Sequence, residues 1–500
     1  MNRALVALVS ALSLSACAVH AEPATAKIES GVLAGELQNG VVIYRNIPFA
    51  AAPVGALRWT PPVPVKAWKG TRDAVKVGPS CPQPMNADGS PNSGGANGPV
   101  SEDCLQLNVY APIEAKAAPV MVWIHGGSHR TGAGWVYDGT QFARDGVILV
   151  SINYRLGPLG YFAHPALTAA AKPGEALGNY GLMDQIAALK WVQRNIKAFG
   201  GDPKNVTVFG ESAGAMSTLA ILATPSANGL YAKAVVESGG GWFPPITLAM
   251  READGAKAVK DLGLEAATAD QLRTVPAADL IAKIGGNFGP FTDGKLLTST
   301  ASQAFAAGKA ADVPLIIGSN SGEDSLMGSW KPSMAAMIPA AARSVYVEED
   351  AAGDETLARA IFTDRLMGAP ARWTAAKASA GKPAWLYHFS YVGSRFRPAV
   401  TRAFHAAEIQ YVFEYWGRRT PMSMVSGEDR AMATLMHSCW VAFAKTSTPT
   451  CATGPVWPPY NPTSDHLMEF GATSGIRTNF RKSRMDAQEI GAVPSLALPK

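Results

Sequence analysis

Short apolar runs alternate with longer segments of mixed polarity through the middle of the chain. Each run is bounded by Gly, Pro or Asn, which is typical of strands buried on both faces of a parallel sheet. The runs predict four strands, PVMVWIH (119–125), VILVSIN (147–153), NVTVFG (205–210) and AKAVVESG (232–239), and two later strands of the same sheet, VPLIIGSN (313–320) and AWLYHFSYV (384–392).

The segments between these runs have helical periodicity. In residues 181–201, Leu182, Ile186 and Leu189 recur at helical spacing, and Gly200 is placed to end the helix. Residues 248–285 and 332–380 are predicted to be helical insertions. Alternation of this kind predicts an α/β fold with a large, mostly parallel central sheet and helices on both faces. We expect residues 22–500 to form one domain.

One polar patch interrupts a predicted strand-to-helix junction. Residues 209–217 read FGESAGAMS, so Ser212 stands between Gly210 and Gly214. This is the G-x-S-x-G pattern of a nucleophile elbow, a turn so tight that its flanking positions must lack bulky side chains. The alternative is a plain glycine-rich turn in which Ser212 caps the helix. The position between a strand and a helix favours the elbow.

Composition excludes several classes of protein. The 500 residues are 47% hydrophobic and 17% charged, with a net charge of +5. This charge is too small, and its Lys and Arg residues too dispersed, for a nucleic-acid partner. No zinc-type cysteine cluster and no internal repeat occurs in the sequence, and we expect neither a metal nor an organic cofactor. Beyond the N-terminus, no apolar stretch is long enough to span a bilayer.

The N-terminal residues 1–21 have the layout of an export signal: a basic start, an apolar run and small residues. Leu14-Ser15-Ala16-Cys17 resembles the bacterial lipobox, in which the cysteine is lipidated. The alternative is ordinary cleavage after Ala21. We therefore expect an exported protein, either periplasmic or anchored to a bacterial membrane through Cys17, or otherwise secreted.

The remaining cysteines fit an oxidising compartment. Cys81, Cys104, Cys439 and Cys451 are even in number, and three pairings are possible. We expect the local pairs, Cys81 with Cys104 and Cys439 with Cys451. Buried free thiols are the alternative.

Several segments together resemble one family. IPFAAAPVGALRW, SEDCLQLNVY, WIHGG, INYRLGPLGYF, FGESAGA and AFHAAEIQYVF stand where the type-B carboxylesterases, the cholinesterase-like branch of the α/β-hydrolases, have their characteristic segments. The resemblance extends over nearly the whole mature chain. It implies the α/β-hydrolase fold, a small-molecule ester substrate and a Ser–acid–His triad. SEDCLQLNVY also resembles the family's N-terminal disulfide segment, which supports the pairing of Cys104 with Cys81.

The triad is assigned from chemistry and from this resemblance. A serine hydroxyl needs a base, and the base needs an orienting carboxylate. Ser212 is the expected nucleophile, and His405 in AFHAAEI matches the family's histidine segment. The family usually has Asp-Glu-Gly at the acid, whereas this chain has Gly322-Glu323-Asp324. Aligned by position, Glu323 is the acid, and Asp324 is the alternative.

The same segments predict an oxyanion hole and a supporting group. Gly126 and Gly127 in WIHGG offer backbone N–H groups at a strand end, and Ala213 follows the nucleophile. A simple turn at HGG is the alternative. The resemblance also implies a supporting role for Glu211, which is otherwise a solvated residue of the elbow.

These assignments predict a serine carboxylesterase that forms an acyl-enzyme. Hydrolysis of amides, carbamates or lactones on the same triad is one alternative, and a non-catalytic adhesion protein of the same branch is another. Basic residues near the expected site further predict a preference for esters with a free carboxylate. Pairing with nearby acids is the competing interpretation of these residues, which are His129, Arg130, Arg395, Arg397 and Arg402.

Overall fold

The computed structural model describes residues 24–492 except 87, 89, 91, 93 and 418. The export signal at 1–21 and the lipidation site Cys17 lie outside the described residues. No helix in the described part of the chain is long and apolar enough to cross a membrane.

In the described residues, thirteen strands form one sheet in the order β1-β2-β3-β5-β7-β6-β8-β9-β10-β11-β12-β13, and β4 pairs with β2. The strands from β7 to β12 in this order are mutually parallel, and both flanks are antiparallel. The strands are β1 Ala24–Ile28, β2 Gly31–Gln38, β3 Val41–Pro48, β4 Thr71–Asp73, β5 Gln106–Pro112, β6 Ala118–Ile124, β7 Ile148–Ile152, β8 Gly201–Glu211, β9 Lys233–Glu237, β10 Leu315–Asn320, β11 Ala384–Phe389, β12 His466–Phe470 and β13 Gly475–Thr478.

Helices join the strands and fill the two predicted insertions. The segment expected to be helical at 181–201 forms α4 and a short 3₁₀ turn that ends at Gly200, whose φ is 81°. The helices are α1 Thr140–Arg144, α2 Gly157–Tyr161, α3 Pro165–Ala170, α4 Tyr180–Asn195, α5 Ala213–Leu222, α6 Leu248–Ala258, α7 Ala269–Thr274, α8 Ala277–Lys283, α9 Ala301–Ala306, α10 Ala340–Arg343, α11 Val347–Ala351, α12 Asp354–Thr363, α13 Ala369–Ala378, α14 Ile409–Val412, α15 Gly427–Thr446 and α16 Lys482–Ala492.

The central strands bury both faces, because successive side chains point to opposite sides of the sheet. On one face, alternate residues such as Val122 and Val208 pack against α4, α5 and α13. On the other face, Trp123 and Phe209 pack against α15. This confirms the predicted helix-covered sheet. It also places the carboxyl ends of β6, β8, β9, β10 and β11 along one edge.

Both expected disulfides form. Cys81 bonds to Cys104 and Cys439 bonds to Cys451. The first closes the Pro- and Gly-rich stretch that precedes β5. Such crosslinks typically stabilise a fold by about 2–4 kcal/mol, largely by restricting the unfolded chain.

Candidate active site

Ser212 occupies a strained turn between β8 and α5. Its φ of 56° and ψ of −122° lie outside the regions that non-glycine residues ordinarily adopt. The turn has no room for side chains beside it. A Cβ on Gly214 would overlap the carbonyl oxygen of Ile124, and a Cβ on Gly210 would lie 2.6 Å from the same oxygen. The two glycines of the elbow are therefore required by packing.

Backbone hydrogen bonds hold this turn in place. The N–H of Ser212 donates to the carbonyl of Glu237 at 2.9 Å, which ties the elbow to the end of β9. The N–H of Ala213 is at the first position of α5, where no intrahelical acceptor exists. It is therefore available to a ligand at the helix N-terminus.

His405 lies in the loop after β11 and binds Glu323 at the end of β10. The Nδ1 atom of His405 is 2.6 Å from Oε2 of Glu323, whose side chain is fully buried. The other oxygen of Glu323 accepts hydrogen bonds from the Ser238 hydroxyl at 2.5 Å and from the Asn320 N–H at 2.7 Å. The carboxylate is thus fixed in one orientation, as a group that orients an imidazole must be.

Asp324, the alternative acid, points elsewhere. It forms an ion pair with Arg402 at 2.9 Å and lies 3.6 Å from Arg359. Of the two adjacent acids, the structure therefore brings only Glu323 to His405.

The second nitrogen of His405 faces another carboxylate. Nε2 is 3.1 Å from Oε1 of Glu211, the residue before Ser212. Within the described residues, this nitrogen is not hydrogen-bonded to the Ser212 hydroxyl. Burial alone would lower the pKa of His405, but the carboxylates of Glu211 and Glu323 outweigh it and raise the pKa to about 9.

The sequence analysis missed two further acids in this cluster. Glu237 ends β9 directly beside Glu211, and Glu408 follows His405 by three residues, directly before α14. Both are fully buried. Burial, reinforced by neighbouring carboxylates, raises the pKa of Glu237 well above its ordinary value and that of Glu408 to about 8. The sequence feature that could have indicated Glu237 is an acidic residue directly after the apolar residues of a predicted buried strand, in VVES.

The oxyanion segment lies against the elbow. A Cβ built on Gly126 would lie 3.1 Å from Cβ of Ser212 and 2.7 Å from Oε2 of Glu211. Gly127 has a φ of 103°, and a Cβ there would overlap the carbonyl of Thr131. The structure thus places Gly126 against Ser212, Ala213 directly after Ser212, and Gly127 next to Gly126 in a turn that needs a glycine.

The predicted basic residues have different surroundings. His129 is 1% exposed, so the expectation that it contacts substrate at the mouth of the site is wrong: it lies inside the protein. Arg402 pairs with Asp324 and Arg397 pairs with Glu428. The guanidinium of Arg395 lies over the Phe396 ring, 5.5 Å from its centroid. Arg130 lies over the ring of Phe288, with its guanidinium carbon 5.8 Å from the centroid, and in the described residues it forms no ion pair.

No group of three or more His, Cys, Asp or Glu side chains within the described residues is arranged to hold a metal ion.

Comparison with known proteins places the chain in a family. The carboxylesterase family model matches residues 22–338 and 330–488. Para-nitrobenzyl esterase from Bacillus subtilis (strain 168) is 37% identical over 463 residues, which cover 86% of this chain and 91% of that protein. Fumonisin B1 esterase from Sphingopyxis macrogoltabida is 35% identical over 478 residues, covering 89% of this chain and 86% of that protein.

Solved structures agree with the sequence matches. A structure of PNB esterase has a TM-score of 0.79 at 33% identity and covers 93% of this chain and 99% of that chain. A carboxylesterase of Geobacillus stearothermophilus has a TM-score of 0.81 at 32% identity with the same coverage. The fold is therefore that of an α/β-hydrolase. The chain belongs to the carboxylesterase family and is a carboxylic ester hydrolase.

Proposed function

We propose that the enzyme hydrolyses esters through an acyl-enzyme formed on Ser212, with His405 as general base and Glu323 as the orienting acid. The observation that carries this proposal is the 2.6 Å contact between His405 and the buried Glu323, beside an elbow that holds Ser212 in a strained turn. Strain of this kind is concentrated at functional sites. The packing of Gly126 against Ser212 supports the proposed oxyanion hole.

The reaction has two halves. Nε2 of His405 takes the proton of the Ser212 hydroxyl while Oγ attacks the ester carbonyl, and the N–H groups of Gly126, Gly127 and Ala213 stabilise the resulting oxyanion. His405 then protonates the departing alcohol, which leaves an acyl group on Ser212. Water, activated by the same imidazole, hydrolyses the acyl-enzyme and restores the serine.

Glu211 is proposed as the supporting group in this cycle. In the resting arrangement it holds Nε2 of His405 at 3.1 Å. For the reaction, the imidazole must lose a proton and turn this nitrogen towards Ser212. The same carboxylate then faces the imidazolium that forms when the serine is deprotonated, and stabilises it by charge.

Three variants and a covalent label test the triad. Ser212→Ala should abolish organophosphate labelling and lower kcat by at least about 10³-fold, since the nucleophile is lost. Glu323→Gln should lower kcat by about 10²-fold or more because the imidazole loses its charged partner. Asp324→Asn is the matched control and should lower kcat far less than Glu323→Gln. A fully active Glu323→Gln enzyme would contradict the assignment.

Matched anilide and carbamate substrates test the alternative activities on the same triad. Their rates, compared with that of the corresponding ester, separate esterase activity from amidase or carbamate hydrolase activity.

We further propose that esters with a second, free carboxylate are preferred, and that Arg130 recognises it. Arg397 and Arg402 already have carboxylate partners. Arg130 follows the oxyanion glycines, its guanidinium lies over the Phe288 ring, and it forms no ion pair within the described part of the chain. An ester carboxylate can bind this guanidinium in bidentate fashion.

The test is the ratio of kcat/KM for a carboxylated ester to that for its neutral isostere, measured over a salt series. The ratio should exceed one and fall with ionic strength. Arg130→Ala should remove most of the preference, and Arg402→Ala, the matched variant of a paired arginine, should remove little. A salt-independent ratio near one would exclude the preference.

Export is also proposed, with lipidation at Cys17 in preference to cleavage after Ala21. Two disulfides among the described residues support an oxidising compartment. Cys17→Ser should move the protein from the membrane fraction to the soluble fraction. An unchanged distribution would exclude the lipid anchor.

A further inference from the structure

His129 lies inside the oxyanion segment rather than at its surface. It follows Gly127 by two residues, has a φ of 54°, and is 1% exposed. Its carbonyl accepts a hydrogen bond from the N–H of Gly157 at 2.7 Å. Its ring packs edge-on against Tyr161, with 5.1 Å between the centroids. The residue is therefore anchored by both its backbone and its ring.

The imidazole reaches the helix that begins at the nucleophile. Nε2 of His129 is 3.0 Å from the hydroxyl of Ser217, which lies on α5. The same hydroxyl accepts a hydrogen bond from Nε2 of Gln185 on α4, also at 3.0 Å. A hydroxyl that accepts from Gln185 can donate its own hydrogen to a neutral imidazole. A buried chain of hydrogen bonds thus joins α4, α5 and the oxyanion segment.

The other side of the ring contacts a glycine-rich segment, residues 285–290. A Cβ built on Gly289 would lie 2.9 Å from Nδ1 of His129, so this position needs a glycine. Phe288, the neighbour of Gly289, carries the ring beneath Arg130. His129 therefore contacts three separate parts of the chain: α2, α5 and residues 285–290.

The imidazole is neutral over the whole working range of an esterase. Burial lowers the pKa of His129 to about 3, and the backbone carbonyls of Phe288 and Ala213 offset this only partly. Its own protonation state consequently stays the same over the pH range in which His405, with a pKa of about 9, titrates.

From this geometry we propose that His129 is a positioning residue of the oxyanion hole. By binding Ser217, it fixes the distance between two sets of donors: the N–H groups of Gly126 and Gly127 on its own segment, and the N–H of Ala213 at the start of α5. The proposal rests on the proposed acyl-enzyme function. A phenylalanine would fill the same space without the bond to Ser217, so this side-chain link between the two sets of donors would be lost.

The experiment compares His129→Phe, Ser217→Ala and the double variant. Each single variant should lower kcat by about 10- to 100-fold with KM within about twofold, because loss of one oxyanion donor costs about 10²–10³ in kcat. The inhibition constant of a trifluoromethyl ketone, whose adduct places an oxyanion in the same hole, should rise by the same factor. The double variant should lose less than the product of the two single losses, because both single variants remove the His129–Ser217 bond.

Two controls separate a positioning role from a merely structural one. His129→Gln, which retains a hydrogen-bonding group, should recover part of the kcat and of the inhibitor affinity. The acid limb of the pH profile should keep its midpoint in all variants, because His129 does not titrate there. If His129→Phe fails to fold, Ser217→Ala alone decides between the outcomes.

The outcomes are distinguishable from failure of the proposed function. Wild-type enzyme that is not labelled at Ser212 by an organophosphate overturns both proposals. Normal labelling with unchanged kcat and unchanged inhibitor affinity in His129→Phe and Ser217→Ala overturns only the role of His129. A loss that appears in KM alone, or additive losses in the double variant, would also overturn it.

Discussion

At the scale of single residues, the site contains one imidazole between two carboxylates. Glu323 on Nδ1 is fixed by Ser238 and Asn320, whereas Glu211 on Nε2 competes with the proposed nucleophile for the same nitrogen. A base must be deprotonated to act, and its pKa of about 9 places that step on the alkaline side of neutrality. We therefore expect kcat/KM to increase with pH through the neutral range.

Glu211→Gln should shift the acid limb of the kcat/KM profile, the part that rises with pH, to lower pH. Removing a negative charge 3.1 Å from Nε2 disfavours the imidazolium, so the apparent pKa of His405 falls towards the ordinary histidine value. The measurement is kcat/KM from pH 5 to pH 10 for a neutral ester. The plateau rate should also fall, because the variant loses the charge that stabilises the imidazolium during the reaction. An acid limb at the wild-type position would contradict the role given to Glu211.

At the scale of elements, the ends of β8, β9 and β10 place Glu211, Glu237 and Glu323. Glu237, Gly318 and Tyr387 are lateral neighbours on three adjacent parallel strands. Because Gly318 has no side chain, the ring of Tyr387 lies directly over it, on the side of Glu237. The indole N–H of Trp440, on α15, donates a hydrogen bond to Oε1 of Glu237 at 2.7 Å.

Gly318→Ala should therefore lower the free energy of unfolding, although the backbone at Gly318 has an ordinary strand conformation. The added methyl group would overlap the Tyr387 ring, and overpacking of this kind typically costs about 1–3 kcal/mol of unfolding free energy. Urea denaturation checks the stability, and near-ultraviolet circular dichroism reports the displaced tyrosine. Gly229→Ala offers a comparison at a glycine whose Cβ would meet no atom within 4 Å, although its φ of 82° adds strain there. A loss at Gly318 no larger than at Gly229 would argue against steric overlap.

The elements themselves were largely accessible from the sequence. Uninterrupted apolar runs indicated the central strands, and G-x-S-x-G at a strand-to-helix junction indicated the elbow. Local patterns could not show which acid reaches His405, since Glu323 and Asp324 are adjacent. Their different partners, Ser238 for Glu323 and Arg402 for Asp324, come from other parts of the chain. The direction in which His129 points was also inaccessible, because it depends on Ser217 and Gln185, residues far away in the chain.

At the scale of the whole molecule, buried acids make stability depend on pH. Glu408 has a pKa of about 8 in the folded protein and about 4.3 in an unfolded chain. Between these values the folded state binds more protons than the unfolded state. The contribution of Glu408 to the free energy of unfolding therefore falls as pH rises through this window. Glu237 acts in the same direction, since its pKa is also raised.

Glu408→Gln should flatten this dependence. Urea denaturation at pH 5 and pH 8 should show a smaller loss of stability in the variant than in the wild type, because the glutamine needs no proton to remain neutral. Glu428→Gln, at a position on α15 whose side chain is 66% exposed, is the matched control and should leave the slope unchanged. If the free energy of unfolding changes equally with pH in the wild type and in Glu408→Gln, then Glu408 is not protonated in the folded protein over this range.

The proposed catalytic groups come from widely separated parts of the chain, from residue 126 to residue 405, and become neighbours only across the ends of β6, β8, β10 and β11. A refolding chain can regain its helices early, since their contacts are local, but non-local strand pairing is slow. Reactivity of Ser212 towards an organophosphate should consequently return later than helical ellipticity. The amount of organophosphate bound at Ser212 thus measures the number of molecules in which the sheet is complete. Divided by the total protein, it gives the fraction of a preparation that is native.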